Sequence, residues 1–330
     1  MKTIKKSHLA EWLNRVAQGY DVFGPALDGV VQFKRVNSSD QLVFDYANSV
    51  VPPKNLFLPQ TECLFAFRRE EGLVILEPRG GLERERVLFG IRPCDARSLL
   101  LLDKVFNGDL EDTYYQEKRR GTILIGLACP SPPQRTCFCT SLGIDPLSPE
   151  GVDILLTGLG DRYLVEVTTE KGEELVGPSQ ELFFPSAEGE KPKGEKGKSL
   201  EGIGEKIGSL WEDGYWRELS RRCLGCGVCT YLCPTCHCFD LTDVGSTLSG
   251  KRFRCWDSCM FADFTRMAGG VNPRPTGKER VRQRYFDKFS YFPEQYGVLG
   301  CVGCGRCSQY CPMGIDIRTI INEVMARGAK

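Results

Sequence analysis

Two runs of cysteine with the same spacing constrain this chain more than any other feature. Cys223-Leu-Gly-Cys226-Gly-Val-Cys229-Thr-Tyr-Leu-Cys233-Pro234 and Cys301-Val-Gly-Cys304-Gly-Arg-Cys307-Ser-Gln-Tyr-Cys311-Pro312 both follow C-x2-C-x2-C-x3-C-P. Three thiolates at that spacing can point inward from one tight loop onto a cubane cluster, while the fourth, followed by proline, turns outward and serves a second cluster. The spacing therefore predicts a crossed pair of 4Fe-4S sites. Cys223, Cys226 and Cys229 share one with Cys311, and Cys301, Cys304 and Cys307 share the other with Cys233. A disulfide framework would not repeat the proline and glycines at the same places, and it belongs to secreted chains. A zinc site needs only pairs of ligands. Crossed ligation ties the two loops together, so metal and fold form one cooperative unit. Gly225, Gly227, Gly303 and Gly305 are expected to let backbone N–H groups approach the sulfurs closely.

Seventeen cysteines without a secretion signal point to thiolates kept for metal in a reducing, cytoplasmic setting. His8 and His237 are the only histidines, which leaves little for imidazole acid–base catalysis. A formal net charge of zero over 330 residues gives no field that would favour nucleic acid or an anionic membrane. The length accommodates two domains. The basic start, Met1 to Lys6, leads into an amphipathic helix at residues 7–14 rather than a signal peptide. Apolar runs such as Ile123 to Ala128 are too short to span a bilayer, so any membrane attachment would come through another protein of the complex.

The chain in order predicts an α+β protein. An N-terminal α/β sheet domain covers residues 1–185, with strands at 29–36, 62–67, 73–76, 86–91, 122–127 and 163–168, all placed in one sheet. Asp95 is the expected N-cap of a helix running to Phe106. Residues 186–206, rich in Gly, Lys and Glu, read as a solvated linker. Residues 207–330 form a mostly helical ferredoxin domain. Its helices are expected at 211–222, at 277–289, and after Asp316, where Ile317, Ile320, Ile321, Val324 and Met325 share a face.

Nine further cysteines remain. Cys94 and Cys129 each follow a strand, and Cys137 and Cys139 lie in a Pro-rich loop. Because neighbouring strand ends converge, Cys94, Cys129, Cys137 and Cys139 are the candidate ligands of a third cluster. Small apolar core thiols are the alternative. Cys236, Cys238, Cys255 and Cys259 are candidates for a fourth, with His237, Asp240 or Asp257 as non-thiolate ligands. Packing around neighbouring clusters and tuning them is the alternative. Cys63 is expected to be an ordinary buried thiol. The arginines at 84, 86, 252, 254, 280, 282 and 284 read as a solvated face, with cluster charge or a partner as the alternative. Gly158-Leu-Gly160-Asp161 reads as a turn, and no phosphate-binding glycine motif follows a strand.

Ile91-Arg-Pro-Cys-Asp-Ala-Arg97, Cys137-Phe-Cys-Thr-Ser-Leu-Gly143, Cys233-Pro-Thr-Cys236, Trp256-Asp-Ser-Cys259 and the two ferredoxin motifs together resemble the iron–sulfur (beta-type) electron-transfer component of soluble sulfhydrogenases. Relatives of that family include an iron–sulfur component of anaerobic sulfite reductase and flavin-linked components of heterodisulfide-reductase complexes. The resemblance implies a subunit that conducts single electrons between a flavin subunit exchanging hydride with NAD(P)H and a separate catalytic subunit. Two rivals stand beside it: a reductase with its own catalytic iron–sulfur cluster, and a zinc-dependent scaffold.

Overall fold

The structure is a computed structural model that describes residues 1–78, 81–186, 192–194 and 197–327. The chain divides into two compact units, one of Met1–Pro53, Leu82–Ser199 and Val302–Gly305, the other of Lys54–Gly81, Leu200–Cys301 and Arg306–Lys330.

The first unit is built on β1 (Lys2–Lys5), β2 (Asp21–Asp28), β3 (Val30–Val36), and five strands of the sheet that come later in the chain. The second unit takes the intervening β4 (Thr61–Glu70) and β5 (Leu73–Pro78). The later strands of the first sheet are β6 (Arg86–Ile91), β7 (Thr122–Leu127), β8 (Ile154–Gly158), β9 (Arg162–Val167) and β10 (Phe183–Pro185). The strand order is β10-β1-β9-β8-β7-β6-β2-β3. Pairing is parallel across β2, β6, β7 and β8, and antiparallel at both flanks. All of β7 and residues 87–91 of β6 are buried, as near-continuous apolar runs require in a parallel sheet covered on both faces. One face carries Val87, Phe89, Ile123, Ile125, Ile154 and Leu156, packed with Leu9, Trp12, Leu13 and Val16 of helix α1 (Lys6–Gly19).

Three more helices, α2 (Pro93–Phe106), α3 (Thr113–Arg120) and α4 (Glu170–Val176), complete this unit. Helix α2 starts at Pro93 with Arg92 as N-cap rather than at Asp95. Proline's fixed φ suits the first helical position, and Asp95 then sits in the first turn, where the helix dipole favours an anion.

The second unit corrects three expectations. Strands β4 and β5 do not join the first sheet but pair in the order β11-β12-β4-β5, with β11 (Phe239–Gly245) and β12 (Ser249–Trp256). Hydrogen bonding from Cys255↔Thr61 to Ser249↔Arg68 commits residues 61–68 to this unit, so a continuous domain over 1–185 is not what forms. The C-terminal part is accordingly not purely helical. The expected linker is shorter than 186–206, because Leu200 and Ile203 are buried and α5 (Ile203–Ser209) begins within it. Residues 187–191, 195 and 196 of that stretch lie outside the described residues.

The remaining helices are α6 (Tyr215–Arg221), α7 (Val228–Tyr231), α8 (Gly277–Phe286), α9 (Phe292–Tyr296), α10 (Arg306–Gln309) and α11 (Ile317–Arg327). A capping box of Thr276 and Glu279 starts α8. Between α8 and α9 the chain widens into a π-helical turn, Asp287–Tyr291. Asp316 accepts from the Arg318 amide at 2.9 Å and so starts α11, which buries Ile317, Ile320, Ile321 and Val324. Met325, expected on the same face, is half-buried.

Candidate metal centres

In the second unit a cavity is lined by Cys223, Cys226, Cys229 and Cys311, with Cys307 also on its wall. Leu219, Val228, Met260, Val281, Ile315 and Ile317 supply an apolar lining. The chain closes tightly around it because Gly225 and Gly227 adopt φ of +66° and +75°, which L-residues with a Cβ resist. The Gly225 amide donates to Cys223 Sγ at 3.4 Å, one of the expected N–H to sulfur approaches. Burial pushes the Cys229 thiol up to about 11, and the nearby Arg284 guanidinium, itself buried, acts in the opposite direction. Four thiols, a largely apolar wall and a backbone donor suit an inorganic cluster.

A second cavity lies in the first unit and is lined by Cys94, Cys129, Cys137 and Cys139. Its origin is the parallel pairing of β6 and β7, whose C-terminal ends deliver Cys94 and Cys129 side by side. Arg92 is buried against it. The Arg92 guanidinium donates to the carbonyls of Tyr46, Ala47 (3.2 Å), Leu127 (3.4 Å) and Ala128 (3.5 Å). Burial raises the thiols of Cys129 and Cys139, the latter up to about 11, and Arg92 opposes the rise at Cys129.

Residues 302–305 of the second cysteine motif belong to this first unit, while Cys301 and Cys307 belong to the other. Gly303 and Cys304 line the same cavity. The Gly303 carbonyl accepts from the Phe138 amide at 2.9 Å, and the Cys304 carbonyl accepts from the side-chain amides of Asn48 and Gln134, each at 3.1 Å. A Cβ on Gly303 would lie 2.5 Å from the Cys139 nitrogen, and one on Gly305 2.5 Å from the Thr136 oxygen. These two glycines therefore make room for backbone, not only for sulfur.

Of Cys236, Cys238, Cys255 and Cys259, Cys238 neighbours Cys259, and Cys236 neighbours Cys233 of the first motif. Cys233 and Cys236 perturb each other, which holds Cys233 well below, and Cys236 well above, the ordinary thiol range. Cys238 and Cys259 do the same, which brings Cys238 down to about 7 and raises Cys259. Cys255 sits in β12 opposite Asp240, an exposed residue. His237 is held toward its neutral form by burial, with Nδ1 3.0 Å from the Thr235 carbonyl, and Asp257 accepts from the Ser258 amide at 2.6 Å. Cys63 is half-buried in β4. Among the described residues, no group of three or more Cys, His, Asp or Glu closes on a single metal ion.

Several buried cations escape a reading of the sequence. Arg254 pairs with Glu62 at 2.6 Å, both essentially inaccessible. Arg282 stacks 3.4 Å over the Trp211 ring, and Arg284 lies among Cys229, Cys307, Cys236 and Cys233. Lys54 and Lys288 are each 2% exposed. Arg252 behaves as expected, pairing with Asp243 at the surface. No local signal marks the others, since a charge in a helix or strand does not report what faces it.

Residues 222–315 match the family model of the 4Fe-4S dicluster domain. Over 335 aligned residues, covering 97% of each chain, the protein is 35% identical to "Sulfhydrogenase 2 subunit beta" of Pyrococcus furiosus. No solved structure gives a significant match. No helix among the described residues is long and apolar enough to cross a membrane.

Proposed function

The chain belongs to the family of sulfhydrogenase beta subunits, and on that premise we propose that it relays single electrons within a cytoplasmic multisubunit oxidoreductase. The donor side is a flavin subunit that exchanges hydride with NAD(P)H. The acceptor side is a catalytic subunit of hydrogenase, sulfite reductase or heterodisulfide-reductase type. One observation carries the proposal: two cavities, one in each unit, are each lined by five cysteines drawn from separate parts of the chain.

A bound 4Fe-4S cluster supplies one-electron exchange without proton transfer at the protein's own groups. The chain's contribution is to hold and insulate. Cys223, Cys226, Cys229 and Cys311 would hold one centre and Cys94, Cys129, Cys137 and Cys139 another, while motif spacing alone assigns Cys233, Cys301, Cys304 and Cys307 to a further one. Largely apolar walls limit water, amides such as that of Gly225 donate to sulfur, and Arg92 and Arg284 offset negative charge.

The test is iron and acid-labile sulfide per chain on anaerobically purified protein, with EPR of the reduced form. About twelve iron atoms, falling to about eight in Cys94→Ser, is the expected result. About eight in both would reduce the Cys94 group to packing. Reduction of a substrate by the isolated chain would replace the relay with a catalytic role.

A further inference from the structure

We propose that Lys288 and Lys54 form a buried counter-charge for the centre ligated by Cys233, and that they raise its reduction potential. The inference rests on the assignment of Cys233 as a cluster ligand.

The Lys288 ammonium donates to Thr235 Oγ1 at 3.0 Å. That oxygen lies 3.2 Å from Cys233 Sγ, and its hydroxyl donates to the Gly300 carbonyl at 2.8 Å. Gly300 immediately precedes Cys301, and its own amide donates back to the Lys288 carbonyl at 2.8 Å. Thr235 is 1% exposed. Lysine, threonine and the start of the second cysteine motif therefore form one closed hydrogen-bonded unit, with Cys233 Sγ packed against its threonine oxygen. Lys54 approaches the same thiols from a distant part of the sequence. Its ammonium donates to the Cys236 carbonyl at 2.7 Å and lies 4.2 Å from the centre of the Trp256 ring.

Burying two ammonium groups is costly unless anions accompany them. The structure pairs Lys288 with Asp287 at 3.3 Å, and that carboxylate is partly exposed. Lys54 has a carbonyl and a ring face, neither of which carries a full charge. A thiolate-ligated cluster would supply the missing negative charge, and it becomes more negative on reduction. A fixed, desolvated cation beside it therefore favours the reduced form. Lys288 also sits in the π turn at the end of α8, a helix distortion that recurs at functional sites.

The experiment is an anaerobic EPR-monitored redox titration of the full chain, with iron counted in every sample. Cys233→Ser identifies which signal belongs to the centre. In Lys288→Met, which keeps the aliphatic stem, that signal alone is expected to shift downward. The ratio of reduced to oxidised centre at fixed poise should fall about tenfold, or about 59 mV for one electron. Lys54→Met should move it in the same direction, and Lys288→Arg should restore it. Unchanged potentials in both methionine variants at full iron content would overturn the proposal, as would an equal shift of every signal. If Lys288→Met loses iron, Lys54→Met and Thr235→Val decide the matter by the same titration. Failure of the underlying assignment is separate: Cys233→Ser would then leave every signal unaltered.

Discussion

Replacing Gly303 with alanine should damage the protein far more than the same change at Gly225, the corresponding position of the first cysteine motif. Both residues are left-handed, with φ of +63° and +66°. Both variants therefore carry the strain of an L-residue there, about 1–2 kcal/mol. They differ in what the new methyl group meets. At Gly225 the nearest atom is 3.8 Å away, whereas at Gly303 it meets the Cys139 nitrogen and Cα and the Phe138 carbonyl carbon at 2.5–2.7 Å. Those are backbone atoms that cannot rotate aside, so overpacking adds about 1–3 kcal/mol. Displacing the loop also breaks the Phe138 amide bond to the Gly303 carbonyl, worth about 1 kcal/mol. The excess over Gly225→Ala is then about 2–4 kcal/mol, a large part of a domain's net stability of about 5–15 kcal/mol. Thermal unfolding at one scan rate, with iron counted after mild heating, would measure it. Gly303→Ala should unfold at a clearly lower temperature and lose iron from the Cys94 cavity first. Equal midpoints and equal iron retention in the two variants would show that the 136–139 loop does not depend on this glycine.

Three further outcomes are expected. Arg254→Met strands the Glu62 carboxylate in the interior and should cost about 3–5 kcal/mol, while the double variant with Glu62→Met should recover most of it, as a denaturant double-mutant cycle would reveal. Arg92→Lys keeps the charge but cannot reach four separate carbonyls, so a loss of about 2–3 kcal/mol and weaker iron retention at the Cys94 cavity should appear in unfolding and iron assays. At Asp316 burial favours the protonated acid, but hydrogen bonds from the Arg318 side chain and amide and from Ser308 outweigh it and lower the pKa. The cap's contribution is thus present above the unfolded value of about 3.9 and is lost as pH falls through the depressed folded value. Asp316→Ala should accelerate amide exchange in α11 at neutral pH, consistent with a loss of about 1 kcal/mol, and the difference from the parent should shrink in acid.

The elements legible in the sequence were those whose cause is local. Ligand spacing reveals the two cysteine motifs, apolar continuity reveals β6 and β7, and an acidic cap followed by 3.6-residue periodicity reveals α11. Strand pairing is not local. Residues 61–78 carry two short apolar runs as any strand pair would, and nothing in them names β12 as their neighbour. The charged residues fail for a different reason. Arg284 reads as part of a solvated face because a charge outside a core pattern is normally exposed. That rule breaks down where the balancing charge is carried by thiolates and inorganic sulfur. In a chain rich in metal-binding thiols, a buried cation beside cysteines can be balanced by an anion that the sequence does not encode. Lysines near cysteine motifs should therefore be weighed as part of the centre before they are assigned to the surface.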